Sequence, residues 1–220
     1  MGAKEEIVKK IEAMNGKYSA YSIFRDWAEC CALSIQNSCV LYHDEVWKKR
    51  EEQYSNILKK YDEKERNQFA EMFGLLSIAL EENIEDVLGD VYMKSGCYSK
   101  QLGQFFTPFH LAELTAELSI TDDMDGNDVI YVNEPSVGGG ANIIGFAKAL
   151  KEKNINYQDC LRVVAQDLDW LAVYMSYIQF SLLGINGEIV QGDTLVEPYP
   201  DNNIPPERVF RTPKRMGVLM

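Results

Sequence analysis

Between residues 128 and 191, short runs of β-branched residues alternate with longer helical stretches, and this alternation limits the fold more than any other feature. Asp128-Val-Ile-Tyr-Val-Asn133 reads as a strand, Ala141 to Lys151 as a helix, Leu161-Arg-Val-Val-Ala165 as a strand, Leu171 to Leu183 as a helix and Glu188-Ile-Val-Gln191 as a short strand. Strands of four to six residues separated by helices of this length indicate β-α-β units and a parallel sheet. A parallel sheet of that kind takes ligands at the carboxyl ends of its strands. The loops after Asn133, Ala165 and Gln191 are therefore the ones to inspect.

The half that precedes the sheet reads as all-α. Residues 4–14 and 18–38 have apolar side chains at helical spacing, as do His43 to about Lys60, Glu63 to Glu82 and Ile84 to Lys94. The stretch from Asp44 to Arg66 holds seven acids and seven bases, which reads as a solvated helix face laced with i,i+4 pairs. Thr107-Pro108 is expected to open a further helix, with threonine as N-cap and Leu111, Leu114, Thr115 and Leu118 as its apolar face. Three divisions follow: a helical region over 1–100, an α/β domain over 101–197 and a proline-rich basic tail over 198–220. Five prolines between Pro198 and Pro213 make the tail read as extended and irregular.

Charge is distributed unevenly. The net charge of the chain is -12, and residues 101–207 carry 16 acids against 4 bases. Arg208, Arg211, Lys214 and Arg215 make the tail basic. An acidic domain of this kind repels duplex phosphate unless the tail or another subunit compensates. The five cysteines have no C-x-x-C spacing, and neither histidine has a neighbouring ligand at metal spacing, so reduced thiols and no structural metal are expected. No apolar run reaches membrane-spanning length and the N-terminus lacks a signal-like apolar stretch, so the expected location is cytoplasmic.

The first loop, Asn133-Glu-Pro-Ser-Val-Gly-Gly-Gly-Ala-Asn142, places three glycines between a strand and a helix. Glycine lets backbone approach a ligand closely, and the helix start leaves N–H groups free for a carboxylate or phosphate. Glu134 at the strand end would accept from a cationic amine. An anion at the helix start and a cation at an acid describe an amino-acid zwitterion better than a pyrophosphate. In the second loop, Gln166-Asp-Leu-Asp169, an acid at the strand end suits two ribose hydroxyls. Asp167 is favoured by its place; Asp169, just before the helix, is the rival and reads as an N-cap. Asp167 follows Gly140 by more than the usual interval, with Glu152 to Asp159 available to absorb the excess. In the third loop, Gln191-Gly-Asp-Thr-Leu195, Asp193 would accept from an adenine amine and Leu195 would lie against its ring.

Taken in order, Gly103-Gln-Phe-Phe-Thr-Pro108, Glu134-Pro-Ser-Val-Gly-Gly-Gly140, Gln166-Asp167 and Gly192-Asp-Thr-Leu195 resemble the N6-adenine DNA methyltransferases, in particular the modification subunit of type I restriction systems. Asp86-Val-Leu-Gly-Asp-Val-Tyr92 is similar to the segment that leads into that family's first motif. The resemblance covers about residues 84–196. It implies a partial Rossmann-like, S-adenosylmethionine-dependent methyltransferase sheet behind an all-α N-terminal region. It further implies S-adenosylmethionine as cofactor, with Phe105, Thr107 and Pro108 covering its methionyl end. Glu134, Ser136, Gly138, Gly140 and Asn142 would hold the methionine part, Asp167 and Leu168 the ribose side, and Asp193 and Leu195 the adenine. The family's further motif, Asp/Asn-Pro-Pro-Tyr/Phe, polarises the target amine and stacks on a flipped base. Asn203-Ile-Pro-Pro206 matches it only superficially, with Glu207 where the ring should stand. The resemblance therefore implies a chain that stops before that motif, and no catalytic residue is assigned. Three functions follow: an adenine-specific DNA methyltransferase of a restriction-modification system that reaches DNA through a partner subunit, a catalytically silent cofactor-binding relative that acts as an interaction or regulatory module, or a methyltransferase for another substrate.

Overall fold

The computed structural model describes residues 2–97, 107–121 and 124–218. Five helices come first: α1 (Ala3–Met14), α2 (Ala20–Ser38), α3 (Glu45–Leu58), α4 (Glu63–Glu82) and α5 (Val87–Lys94). Then follow α6 (Phe109–Ser119), β1 (Ile130–Glu134), α7 (Ala141–Glu152), α8 (Tyr157–Cys160), β2 (Leu161–Asp167), α9 (Trp170–Leu182) and β3 (Asn186–Gln191). A 3-10 turn at Pro206–Arg208 leads into β4 (Val209–Arg211), and α10 (Pro213–Met216) follows.

Local chemistry explains where the early helices begin. Ser19, Asp44, Asp62 and Asp86 each accept a backbone N–H from the first turn of α2, α3, α4 and α5. Each such cap stabilises by about 1 kcal/mol. At α4 the bond is reciprocated, because the Glu65 side chain accepts the N–H of Asp62. The balanced charge run forms α3 and the start of α4, as its periodicity predicts.

The sheet has the order β1-β2-β3-β4. β1 pairs with β2 and β2 with β3 in parallel, whereas β4 joins β3 antiparallel. Glu134 lies opposite Ala165, and Asp167 opposite Gln191, so the carboxyl ends of the three parallel strands share one edge. The run of residues from Leu171 to Ser181 on α9 is buried throughout, as expected of a helix with apolar side chains on all sides. It packs against α2 on one side and against β2 and β3 on the other. One hydrophobic cluster consequently runs from Ile7 and Trp27 in the helical half to Val163, Phe180 and Ile189 at the sheet. Among the described residues no helix is long and apolar enough to cross a membrane, and no group of three metal-ligating side chains occurs.

Three local expectations need correction. α6 begins at Phe109, and Pro108 with ψ of 129° stands outside it as the cap residue, so Thr107 is not the N-cap. The buried face of α6 is Ala112 and Ala116, while Leu118 is 80% exposed and Leu111 and Leu114 are half out of contact. The reason is close approach to α7, where a Cβ at Gly145 would stand 3.0 Å from the Ala112 carbonyl carbon. Small residues win the contact face, and the leucines are displaced to the rim. Finally, the tail is irregular only over 198–205, and beyond that it is ordered as a 3-10 turn, β4 and α10. Thr212 Oγ1 accepts from Gly187 N–H and donates to the Ile185 carbonyl, which docks β4 and α10 onto β3.

Candidate functional site

The three strand-end loops are tied to one another by hydrogen bonds. Val137 N–H donates to the Gln166 carbonyl, and Gly138 N–H donates to Asp167 Oδ2 at 2.9 Å. Gly192 N–H donates to the Asp167 carbonyl, and Gln191 Nε2 to the Leu168 carbonyl. Thr194 Oγ1 donates to the Pro135 carbonyl, closing the ring from the third loop to the first. Glu134, Gly138, Asp167 and Asp193 are therefore gathered at one edge of the sheet.

The glycine loop has the backbone that only glycine adopts easily. Gly138 has φ of 54° and Gly140 φ of 100°, both in the left-handed region. A Cβ on Gly140 would also lie 2.7 Å from Phe180 Cε1. No side chain caps the N-terminus of α7, among the described residues, so its first N–H groups are open to an anionic acceptor. Glu134 stands beside this helix start: Oε2 accepts from Asn142 Nδ2 and Oε1 from Ser136 N–H. The acid and the open helix end form one local unit, which fits an ammonium group and a carboxylate held side by side.

Asp167 is the last residue of β2 and Asp169 is the N-cap of α9, accepting from Leu171 N–H. Asp167 Oδ1 accepts from Asp169 N–H, so both of its oxygens are engaged by backbone. Burial pushes this carboxyl above its ordinary value, against the downward pull of the Asp169 and Gly138 donors. Each carboxylate oxygen retains a second lone pair, so hydroxyl donors remain acceptable. The surplus residues between Gly140 and Asp167 form the turn after α7 and the short α8. Asp193 Oδ1 accepts from Leu195 N–H, and the Leu195 side chain is 94% exposed beside it. Leu168 is likewise exposed. Thr107 and Pro108 precede α6, while Phe105 lies outside the described residues.

Two residues important to this geometry have no role assigned from the sequence, Gln179 and Asp86, although Asp86 opens the segment that resembles the family's lead-in. Asp86, buried before α5, accepts from Gln179 Nε2 at 2.8 Å and from Gly89 N–H at 2.9 Å. The same Gln179 Nε2 donates to the Gly139 carbonyl at 2.8 Å, and its Oε1 accepts from Leu88 N–H. Helix α5 is thereby fastened to the glycine loop through a side chain of α9. Burial pushes the Asp86 carboxyl up, with the Gln179 and Gly89 donors opposing it.

The sequence from residue 83 to residue 214 matches the family model of the N-6 DNA methylases. The chain belongs to the N-6 DNA methylase family. The matched span begins just before the Asp86 clamp and ends in α10, so it takes in the whole sheet and all three strand-end loops. Among solved structures, the type I restriction-modification system methyltransferase subunit from Streptococcus thermophilus is similar over 73% of this chain at 18% identity and a TM-score of 0.43. The chain spans 35% of the length of that structure. No curated protein matches it.

The tail of the chain uses its positive charge internally. Arg208 pairs with Glu197, Arg211 and Arg215 with Glu188, and Lys214 with Asp159. Asn203-Ile-Pro-Pro206 lies ahead of β4 instead of at the end of a parallel strand, and Ile204 is buried against Val190 and Val209.

Proposed function

We propose that this chain is the cofactor-binding part of an adenine-N6 DNA methyltransferase and holds S-adenosylmethionine across the ends of β1, β2 and β3. The observation that carries the reading is the direct contact of the glycine loop with Asp167, next to an uncapped helix N-terminus and Glu134. S-adenosylmethionine supplies a methyl group on a sulfonium, which makes that carbon open to attack by an amine. In this reading the open N–H groups of α7, presented by Gly138 and Gly140, take the methionine carboxylate, and Glu134 takes the ammonium. Ser136 and Asn142 fix the Glu134 carboxylate in place. Asp167 takes the ribose hydroxyls with Leu168 beside them, Asp193 the adenine amine, and Leu195 the ring face. Thr107 and Pro108, together with Phe105, cover the methionyl end. Residues 101–197 act as the cofactor domain, and the helical region 1–100 braces its glycine loop through Asp86.

Contact with duplex DNA is assigned to a partner subunit of a restriction-modification complex, because the tail arginines are already paired with Glu188 on β3 and Glu197 in the loop after it. That pairing, and the position of Asn203-Ile-Pro-Pro206 ahead of β4, favour a second reading in which the chain binds the cofactor without transferring its methyl group. The test is incubation with methyl-labelled S-adenosylmethionine and DNA of mixed sequence, with and without the partner subunits. Label in DNA adenine supports the first reading. Cofactor binding without label in either condition supports the second, and absence of cofactor binding defeats both.

A further inference from the structure

A cleft of about 360 Å³ opens between α2, α3, the first turns of α9 and Phe210 of β4. Arg50, on its wall, is only 8% exposed. Arg50 Nη2 donates to the carbonyls of Pro206 and Val209, both at 3.2 Å, and its guanidinium lies 5.0 Å from the centre of the Phe210 ring. Arg50 Nε is buried without a partner. Among the described residues no carboxylate comes within ion-pairing distance of this cation. A buried positive charge without a counterion is unfavourable, and burial accordingly pulls the Arg50 pKa down.

Two further cations, Arg25 and Lys49, line the same cleft, and both are exposed. Neither has an ion-pair partner among the described residues, in contrast with the four paired cations of the tail. Two acids share the cleft with them. Glu29 is buried, accepts from Gln53 Nε2 and is pushed up by its burial; Glu207 is exposed at the rim. The remaining wall is aromatic. Trp170 is half-buried, with its ring centre 5.6 Å from Tyr174 and 6.5 Å from Phe210. Three cations and a tryptophan lining one cleft supply the kinds of group that a phosphate joined to a planar base requires. The cavity is larger than a bare anion needs and falls within the range of small-molecule sites.

We propose that this cleft binds a nucleotide, with its phosphate on Arg25, Lys49 and Arg50 and its base against Trp170. The nucleotide is either free or one residue of a single DNA strand, and the proposal does not depend on the cofactor reading. Trp170 follows Asp167 by three residues, so the two sites would flank the same β2–α9 turn.

The experiment titrates the full chain with adenosine 5′-monophosphate, adenosine and a short single-stranded oligonucleotide. Tryptophan fluorescence and calorimetry are followed, with saturating S-adenosylhomocysteine present to occupy the strand-end crevice. The expected result is saturable binding of a phosphate-bearing probe, with adenosine weaker by on the order of tenfold. Tighter binding of the monophosphate identifies the free nucleotide as source, and tighter binding of the oligonucleotide identifies the strand. The double variant Arg25→Gln/Lys49→Gln, both positions exposed, weakens binding by a similar factor, and Trp170→Phe removes the fluorescence change. Absence of saturable binding by either phosphate-bearing probe overturns the proposal, as does binding that the double variant leaves unchanged.

Discussion

The backbone N–H of Gly138 donates to Asp167 Oδ2 at 2.9 Å, so the glycine loop after β1 and the acid that ends β2 are one hydrogen-bonded unit. Residues 29 apart in the chain are thereby fixed to each other before any ligand arrives. Such preorganisation reduces the ordering that binding must otherwise impose. The acid has two tasks in this arrangement, holding the loop and offering its remaining lone pairs to hydroxyl donors.

Gly140 leaves no room for a side chain. Its φ of 100° disfavours any L residue, and a Cβ there would lie 2.7 Å from a fully buried Phe180 ring. Gly140→Ala is expected to destabilise the fold by about 1–3 kcal/mol, which urea unfolding at neutral pH measures. An unchanged midpoint would mean that the loop does not hold this conformation.

Asp86 fastens the helical half to the glycine loop. Asp86→Ala would leave the Gly89 N–H buried without its acceptor and take one of the two partners from Gln179 Nε2, at an expected cost of about 1–3 kcal/mol. Asp86→Asn preserves the shape and tests the charge. A buried carboxyl with a raised pKa holds its proton more tightly folded than unfolded, so the fold loses stability as pH climbs above 3.8 toward the folded value. The Asn variant therefore gains on the natural protein across that rise, and unfolding curves at several pH values compare them directly.

Glu188 provides the opposite pH dependence. Burial pushes its carboxyl up, but the Tyr199 hydroxyl and the Arg215 and Arg211 guanidiniums outweigh this and hold it below 4.5. A depressed carboxyl contributes stability that is present above its unfolded value of 4.5 and lost as pH falls through the folded value. Glu188→Gln should cost about 1–2 kcal/mol at pH 7 and almost nothing in acid below the folded value, read as the difference between paired urea curves. A cost that stays constant over this range would show that the tail is not held by these ion pairs.

The parts of the fold that were legible in the sequence are those fixed by local chemistry. α4 could be bounded at Glu63 and Glu82 because Phe69, Met72, Leu76 and Leu80 repeat at helical spacing. β1, β2 and β3 were readable because β-branched runs end at glycine or acid, and Asp169 was readable as the cap of α9. What remained hidden depends on distant partners. β4 is three residues long between two prolines and becomes a strand only through pairing with β3. The leucines of α6 form a convincing apolar stripe, yet Ala112 and Gly145 allow the closer backbone contact with α7. Asp86 and Gln179 stand 93 residues apart, and no local pattern announces their bond. The same holds for the tail cations, whose partners Glu188 and Asp159 belong to other elements.

The central claim is that the strand-end crevice holds S-adenosylmethionine through the contacting pair Gly138 and Asp167. Calorimetric titration of the chain with S-adenosylmethionine and S-adenosylhomocysteine, repeated on Asp167→Ala and Gly138→Val variants whose circular dichroism matches the parent, measures it directly. The account predicts saturable heat for the parent and affinity reduced on the order of tenfold or more in each variant. Heat that neither substitution alters, or a parent chain that binds neither compound, would contradict it.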